Sequence, residues 1–160
     1  MNYLISIKRH LITGILLLLM SCNLFSQNCR GYHHSDGCEI KDAKDYRQYG
    51  QARSAVLEVY KSYLYNVIFY GKKDYIIQVC TDSDYYPIHF RLLNAETKDV
   101  FYDNAEDDYI ESVGFVVDEH TPMIIEVTIL AEGIQLEDGR DMRTCAGIQI
   151  LWRKTPSLGF

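Results

Sequence analysis

This chain carries no motif that announces a reaction. HExxH, GxSxG, a P-loop and a glycine-rich dinucleotide turn are all missing, and with them the backbone shapes that place known chemistry. No basic cluster is visible: 22 Asp and Glu outnumber 16 Lys and Arg, for a formal net charge of −6. Such a chain is a poor binder of nucleic acid or anionic membrane. There is no linker rich in Pro, Gly or Ser, no internal repeat and no low-complexity segment, so one domain is expected. Little of it reads as helix; the polar stretch Ile40 to Tyr49 is the one candidate, as a short helix or as a strap. The longest apolar run, Leu11 to Met20, is short of the roughly 20 residues a membrane-crossing helix needs, and no later stretch is better.

What is present at the N-terminus is a leader. Lys8 and Arg9 precede the apolar run, and small and polar residues follow it, the layout of a secretory signal. Two processing routes compete. Leu19-Met20-Ser21-Cys22 resembles a bacterial lipobox, in which Cys22 would be acylated and become the anchored N-terminus. The ending Leu24-Phe25-Ser26-Gln27 resembles leaders of exported Bacteroidetes proteins, with cleavage after Ser26. The small residue at Ser26 favours the second route. The expected organisation is a signal peptide over 1–26, an N-terminal disulfide loop and strap over 27–51, and a β-sandwich over 52–160.

Cleavage leaves four cysteines, Cys29, Cys38, Cys80 and Cys145, an even number that reads as two disulfides in an exported chain. Three pairings are open. Gly31 and Gly37 inside CRGYHHSDGC let that stretch turn back on itself, which favours Cys29 with Cys38 and leaves Cys80 with Cys145. In the chain-entropy picture the short loop contributes about 2.5 kcal/mol and the long one over about 4 kcal/mol. A zinc site on the same stretch is disfavoured, because the thiolates are expected to be oxidised and the adjacent His33 and His34 point apart in extended chain. His34, Ser35 and Asp36 are sequential, and sequence neighbours rarely line up as nucleophile, base and orienter.

From Ala52 onward the chain breaks into eight runs rich in Val, Ile, Tyr and Phe: ARSAVLEVY, SYLYNVIFY, DYIIQVC, YPIHFRLL, DVFY, YIESVGFVVD, MIIEVTILA and CAGIQILWR. Turn-forming residues separate them. Ile88, Phe90 and Leu92 alternate with His89 and Arg91; Ile125, Val127 and Ile129 alternate with Glu126 and Thr128; Ile148, Ile150 and Trp152 alternate with Gln149 and Arg153. Strands with one apolar face need a second layer, so the fold class expected is all-β, an antiparallel β-sandwich of about eight strands. Tyr70-Gly71-Lys72-Lys73-Asp74-Tyr75 reads as the clearest hairpin, with Gly71 supplying a positive φ.

The succession YLYNVIFYGKKDYIIQVC, IHFRLLNAETKDVFYDN and FVVDEHTPMIIEVTI resembles the strand order of bacterial pre-peptidase C-terminal domains, small jelly-roll-like sandwiches attached to secreted enzymes. The likeness covers roughly Leu57 to Arg153. The chain departs from that family in its N-terminal cysteine loop, its second disulfide and the lack of an attached catalytic domain, and it is also similar to small exported proteins of the Bacteroidetes. The resemblance implies a sandwich with a non-catalytic accessory role and supplies no functional residues.

Function candidates are therefore residue types in loops. Asp82, Asp84, Asp103, Asn104, Asp107 and Asp108 offer oxygen ligands for calcium, with solvated turn acids as the alternative reading. No other cofactor is expected. Among thirteen tyrosines, Tyr32, Tyr85, Tyr86 and Tyr102 adjoin loops and, with His33 and His34, form the candidate ligand-binding set for an unknown protein or glycan partner. Glu58, Glu111 and Glu126 lie on predicted strand faces and leave open a small carboxylate-dependent hydrolase. The reading favoured is an exported binding or accessory module of the periplasm, cell surface or medium, with a lipid-anchored envelope subunit as a further alternative. Mass spectrometry of the native N-terminus is expected to find Gln27 first; an acylated Cys22 would establish the anchored form instead.

Overall fold

Alternation of apolar and polar residues becomes a sandwich, with nine strands among the described residues. In the computed structural model the described residues are 29–41, 43–132 and 142–155; the leader, Cys22 and the acidic turn 137–141 lie outside them. The strands are β1 (Arg47–Gln48), β2 (Arg53–Glu58), β3 (Ser62–Phe69), β4 (Lys73–Thr81), β5 (Ile88–Asn94), β6 (Val100–Asp103), β7 (Ser112–Val117), β8 (Thr121–Ile129) and β9 (Arg143–Lys154). Every one of the eight expected runs is a strand, and β1 is an addition. It lies in the stretch Ile40 to Tyr49, which is a strap and not a helix.

One sheet has the order β1-β9-β4-β7 with β2 also on β9, and the other β3-β8-β5-β6, all pairs antiparallel. The pairs nest: β2 with β9, β3 with β8, β4 with β7, β5 with β6. That is one long hairpin rolled into two sheets, the jelly roll.

Rolling corrects the expected hairpin. β3 and β4 belong to different sheets, so Tyr70 to Lys73 is a corner that carries the chain across the sandwich. Lys72, not Gly71, adopts the positive φ of 58°. Gly71 is needed for a different reason: a Cβ there would run into the backbone of Asp118 and Glu119, in the corner between β7 and β8. The true hairpin is β5–β6, where Asn94 Oδ1 accepts from the N–H groups of Glu96 (2.7 Å) and Thr97 (3.0 Å).

The inward faces meet in a core that includes Phe69, Tyr75, Ile77, Phe90, Ile125, Val127 and Ile150, each at most 1% exposed. Each such side chain stabilises by about 1.5–3 kcal/mol relative to exposure. Tyr75 brings a hydroxyl into this core, and it is satisfied: it accepts from Tyr70 N–H (2.9 Å) and donates to Tyr70 C=O (3.2 Å).

The N-terminal segment is a third, partial layer. Ala146, Ile148 and Ile150 of β9 face the core, which turns Cys145, Gly147 and Gln149 outward. Residues 29–40 cross this outer face in two 3-10 turns, Tyr32–His34 and Asp36–Cys38. Cys29 is bonded to Cys145 and Cys38 to Cys80, each with Cα atoms 5.3 Å apart. The expected pairs, Cys29–Cys38 and Cys80–Cys145, are therefore both replaced, for a reason of register. Cys80 stands opposite Gly147, two residues from Cys145, and such diagonal neighbours lie about 7–8 Å apart, too far for Cβ atoms that must come within about 4 Å. Both cysteines look outward to a segment laid over them. With sequence separations of 116 and 42, the bonds restrict the unfolded chain by about 5 and 4 kcal/mol. Two disulfides in a chain of this size mark an exported protein.

Gly147 makes room for this layer. A Cβ on it would lie 2.7 Å from Cys80 Sγ, 2.8 Å from His33 Cα and 2.9 Å from Cys38 Sγ. Gly147→Ala is expected to cost about 1–3 kcal/mol, the usual range for overpacking, and to raise amide exchange across residues 29–40. Urea unfolding and hydrogen exchange measure both; an unchanged midpoint and unchanged exchange would refute the packing role.

Candidate binding cleft

The two sides of the sandwich are finished differently. Along β3, the strap between β1 and β2 covers the edge: Tyr49 OH donates to Ile68 C=O, and Gln51 Oε1 accepts from Ile68 N–H (3.3 Å). Tyr49 is itself 8% exposed and packs on Phe69 and Tyr75. On the opposite side the edge strands are β7 and β6, and between them opens a cleft of about 540 Å³, within the usual size for a ligand site, about 300–1,000 Å³. Val113 and Phe115 of β7, Phe101 and Tyr102 of β6, Leu92 and Met123 make its walls, with Asp118 and Glu119 at the rim.

Phe101 reaches the mouth because of a bulge. The β5–β6 register steps from Leu92↔Tyr102 to Leu93↔Val100, leaving Phe101 without an opposite residue. An extra residue bends the strand and re-aims its side chain, and Phe101 is 56% exposed. Val116, 57% exposed, lines the same cleft.

The sequence candidates are spread over several places. Tyr32, His33 and His34 sit on the N-terminal layer. Their 3-10 turn brings the two imidazoles together, centroids 4.1 Å apart, where extended chain would have parted them. His33 is tied to Ser54 of β2, its N–H donating to Oγ (2.8 Å) and its Nδ1 2.6 Å from the same oxygen. Burial, and then His34, hold its pKa below the ordinary imidazole range. Tyr85 and Tyr86 lie in the β4–β5 loop. Burial and then Glu111 push the Tyr86 phenol up to about 12; Tyr32 is raised by burial and then by Asp82. Tyr32, Asp82, Tyr86 and Glu111 thus share one neighbourhood. Tyr102 stands apart in the cleft wall, pushed up to about 12 by burial, then by Asp107 and Asp103.

The acids serve the backbone first. Asp82 accepts from Asp84 N–H (3.5 Å) and caps the turn Ser83–Tyr85; Asp103 accepts from Ala105 N–H (3.0 Å) and pairs with His89 Nε2 (2.8 Å). Asp108 is the left-handed residue that ends the turn Asn104–Asp107. Among the described residues no three of His, Cys, Asp or Glu are grouped to hold a metal ion. Asn104 is no ligand but a fully buried latch: its Oδ1 accepts from Phe90 N–H (2.8 Å) and its Nδ2 donates to Ile88 C=O (2.9 Å) and Ile110 C=O (3.1 Å). Glu58 and Glu126 point outward from opposite sheets, Glu126 bound to Arg91 Nε (2.9 Å). Sheets pack about 10 Å apart, so these two acids cannot flank one glycosidic bond at the usual 5–10 Å or so.

Two features of the site escaped the sequence, the cleft and the pairing of Asp103 with His89. A signal for the first exists: Val100-Phe101-Tyr102 and Phe115-Val116-Val117 are apolar at successive positions, so each strand must show apolar residues on both faces. For Asp103, burial works against ionisation, but the Ala105 N–H and then His89 outweigh it and hold the carboxyl below its usual range. The stabilisation is then complete above about pH 4, the unfolded value, and is lost as pH falls through the folded one. Asp103→Asn is expected to lower the urea midpoint at pH 7 and to leave it unchanged at about pH 2; an equal loss at both would show that the carboxylate charge contributes nothing.

Comparison with known proteins names no family. No family model matches the sequence, and no curated protein matches it. Among solved structures the chain is similar to PliG of Aeromonas hydrophila, a periplasmic lysozyme inhibitor of g-type lysozyme, with a TM-score of 0.45 and 8% identity over 72% of this chain and 92% of that one.

Proposed function

We propose that the protein is an exported, non-catalytic binding module that takes an extended segment of a partner protein into the cleft between β6 and β7. The observation that carries this reading is an apolar edge that the described residues leave uncovered. β7, Ser-Val-Gly-Phe-Val-Val, contains neither Lys nor Pro, and among the described residues no strand pairs with its outer edge. Such an edge is an aggregation hazard unless something covers it. An added strand would pair with the free N–H and C=O groups, while its alternate side chains enter the groove against Phe101 and Phe115. Exposed Gly114 leaves space for the incoming backbone. Asp118 and Glu119 at the rim select a basic residue beside the apolar ones.

The module acts in the periplasm, at the cell surface or in the medium, and acylation at Cys22 would hold the same module on a membrane. Peptides selected from a displayed library on the mature protein are expected to alternate apolar residues with Lys or Arg beside them, and to protect the β7 amides from exchange. Phe101→Ala, at an exposed position, should weaken them about tenfold, as for an interface anchor. Selected peptides that leave β7 unprotected, or that ignore the Phe101 change, would overturn the reading, as would occupation of the cleft by fatty acid alone.

A further inference from the structure

A second hollow, of about 460 Å³, lies at the far end of the five-stranded sheet. Asp45, Arg47, Trp152, Arg153 and Lys154 line it, and Lys73 borders it from the neighbouring strand. Arg47 of β1 is opposite Trp152 of β9, Trp152 is opposite Tyr75 of β4, and Lys73 of β4 is directly opposite Lys154 of β9. The shared register puts Arg47, Lys73, Trp152 and Lys154 on one face, beyond the last core layer. Lys73 Nζ stands 4.2 Å from the centre of the Trp152 ring and 5.1 Å from that of Tyr70.

The charges in this hollow do not cancel. Arg153 takes Asp74 (Nε to Oδ2 2.9 Å) and lies over Tyr46, its guanidinium carbon 4.6 Å from the ring centre. Asp45 is the remaining carboxylate of the wall. Arg47, Lys73 and Lys154 have no carboxylate partner among the described residues. Like charges directly opposite on neighbouring strands are destabilising. Here the rings hold Lys73 by cation–π attraction, and the repulsion that remains favours any anion that enters.

We infer that this hollow is a binding site for a short acidic oligosaccharide, its carboxylate or sulfate groups on Arg47 and Lys154 and its apolar sugar face near Trp152, with Lys73 adding positive charge from across the Trp152 ring. Size and charge both restrict the ligand. The volume exceeds what one inorganic ion fills and suits one or two sugar rings. A chain of net charge −6 repels a long polyanion, whereas a short ligand meets only the local field, because charges beyond about 8 Å are screened at physiological salt. The site shares no residue with the proposed function of the β6–β7 cleft, and either can fail alone.

Trp152 is the single tryptophan of the chain, so its fluorescence reads this site directly. Trigalacturonate or a sulfated trisaccharide is expected to shift the emission saturably, with maltotriose leaving it unchanged, and the two acidic sugars distinguish carboxylate from sulfate. Raising salt from about 50 to about 500 mM should weaken binding several-fold. Lys154→Ala, an exposed change, and Arg47→Ala should each weaken it several-fold, with circular dichroism unchanged. The inference is overturned if neither acidic sugar shifts the emission, if maltotriose shifts it equally, or if inorganic phosphate or a short oligonucleotide binds as well as the sugars. It is overturned also if both folded variants bind like the parent chain.

Discussion

A two-sheet sandwich has four strand edges, and each exposes a row of unpaired backbone groups that must be paired, covered or left for something else. This constraint organises the molecule. At one side the chain spends its own residues: the strap from Tyr46 to Ala52 lays β1 and β2 on β9 and turns Tyr49 and Gln51 onto the backbone of Ile68. Tyr49 does this while its ring packs against Phe69, so one residue closes the edge and completes the core. At the other side β6 and β7 receive nothing comparable from the described residues, and these leave the apolar wall between the two strands open.

The disulfides complete the same logic on the sheet surface. A segment with short 3-10 turns and few apolar side chains cannot hold itself on a β-sheet by burial. Covalent bonds at Cys29 and Cys38, with the His33 contact to Ser54, fix it instead, and Gly147 lets it lie close enough for those bonds to form. The bonds reach β9 and β4, the two central strands of the five-stranded sheet. Their restriction of the unfolded chain therefore favours the pairing on which β1, β2 and β7 are all built.

Strand positions were legible because period-two burial is a local property: Ile88, Phe90 and Leu92 declare their face without knowing their partners. What depended on partners was not. The disulfide pairing turned on Cys80 being opposite Gly147 and not Cys145, a register set by ladders far apart in the chain. Tyr70 to Tyr75 has turn residues that serve a hairpin or a corner equally well, and only the nesting of β4 with β7 decides between them. Asn104 sits among acids in sequence and inside the protein in space, since its amide is the one group there able both to donate to two carbonyls and to accept from Phe90. The basic hollow shows the limit most plainly. No window of the sequence contains Arg47 and Lys154 together, and composition describes the chain as acidic.

That uneven charge gives the two sites opposite preferences from one fold. Carboxylates at Asp118 and Glu119 border the apolar cleft, while Arg47 and Lys154, without a carboxylate partner among the described residues, border the hollow at Trp152. Within a Debye length each site is governed by its own neighbours and not by the net charge of the molecule. An anion drawn to the hollow is repelled at the cleft rim, and a basic segment suited to the cleft is repelled at the hollow. Separation of the two ligand classes thus follows from repulsion at each wrong site as much as from attraction at the right one, which is how specificity arises when affinity alone is modest.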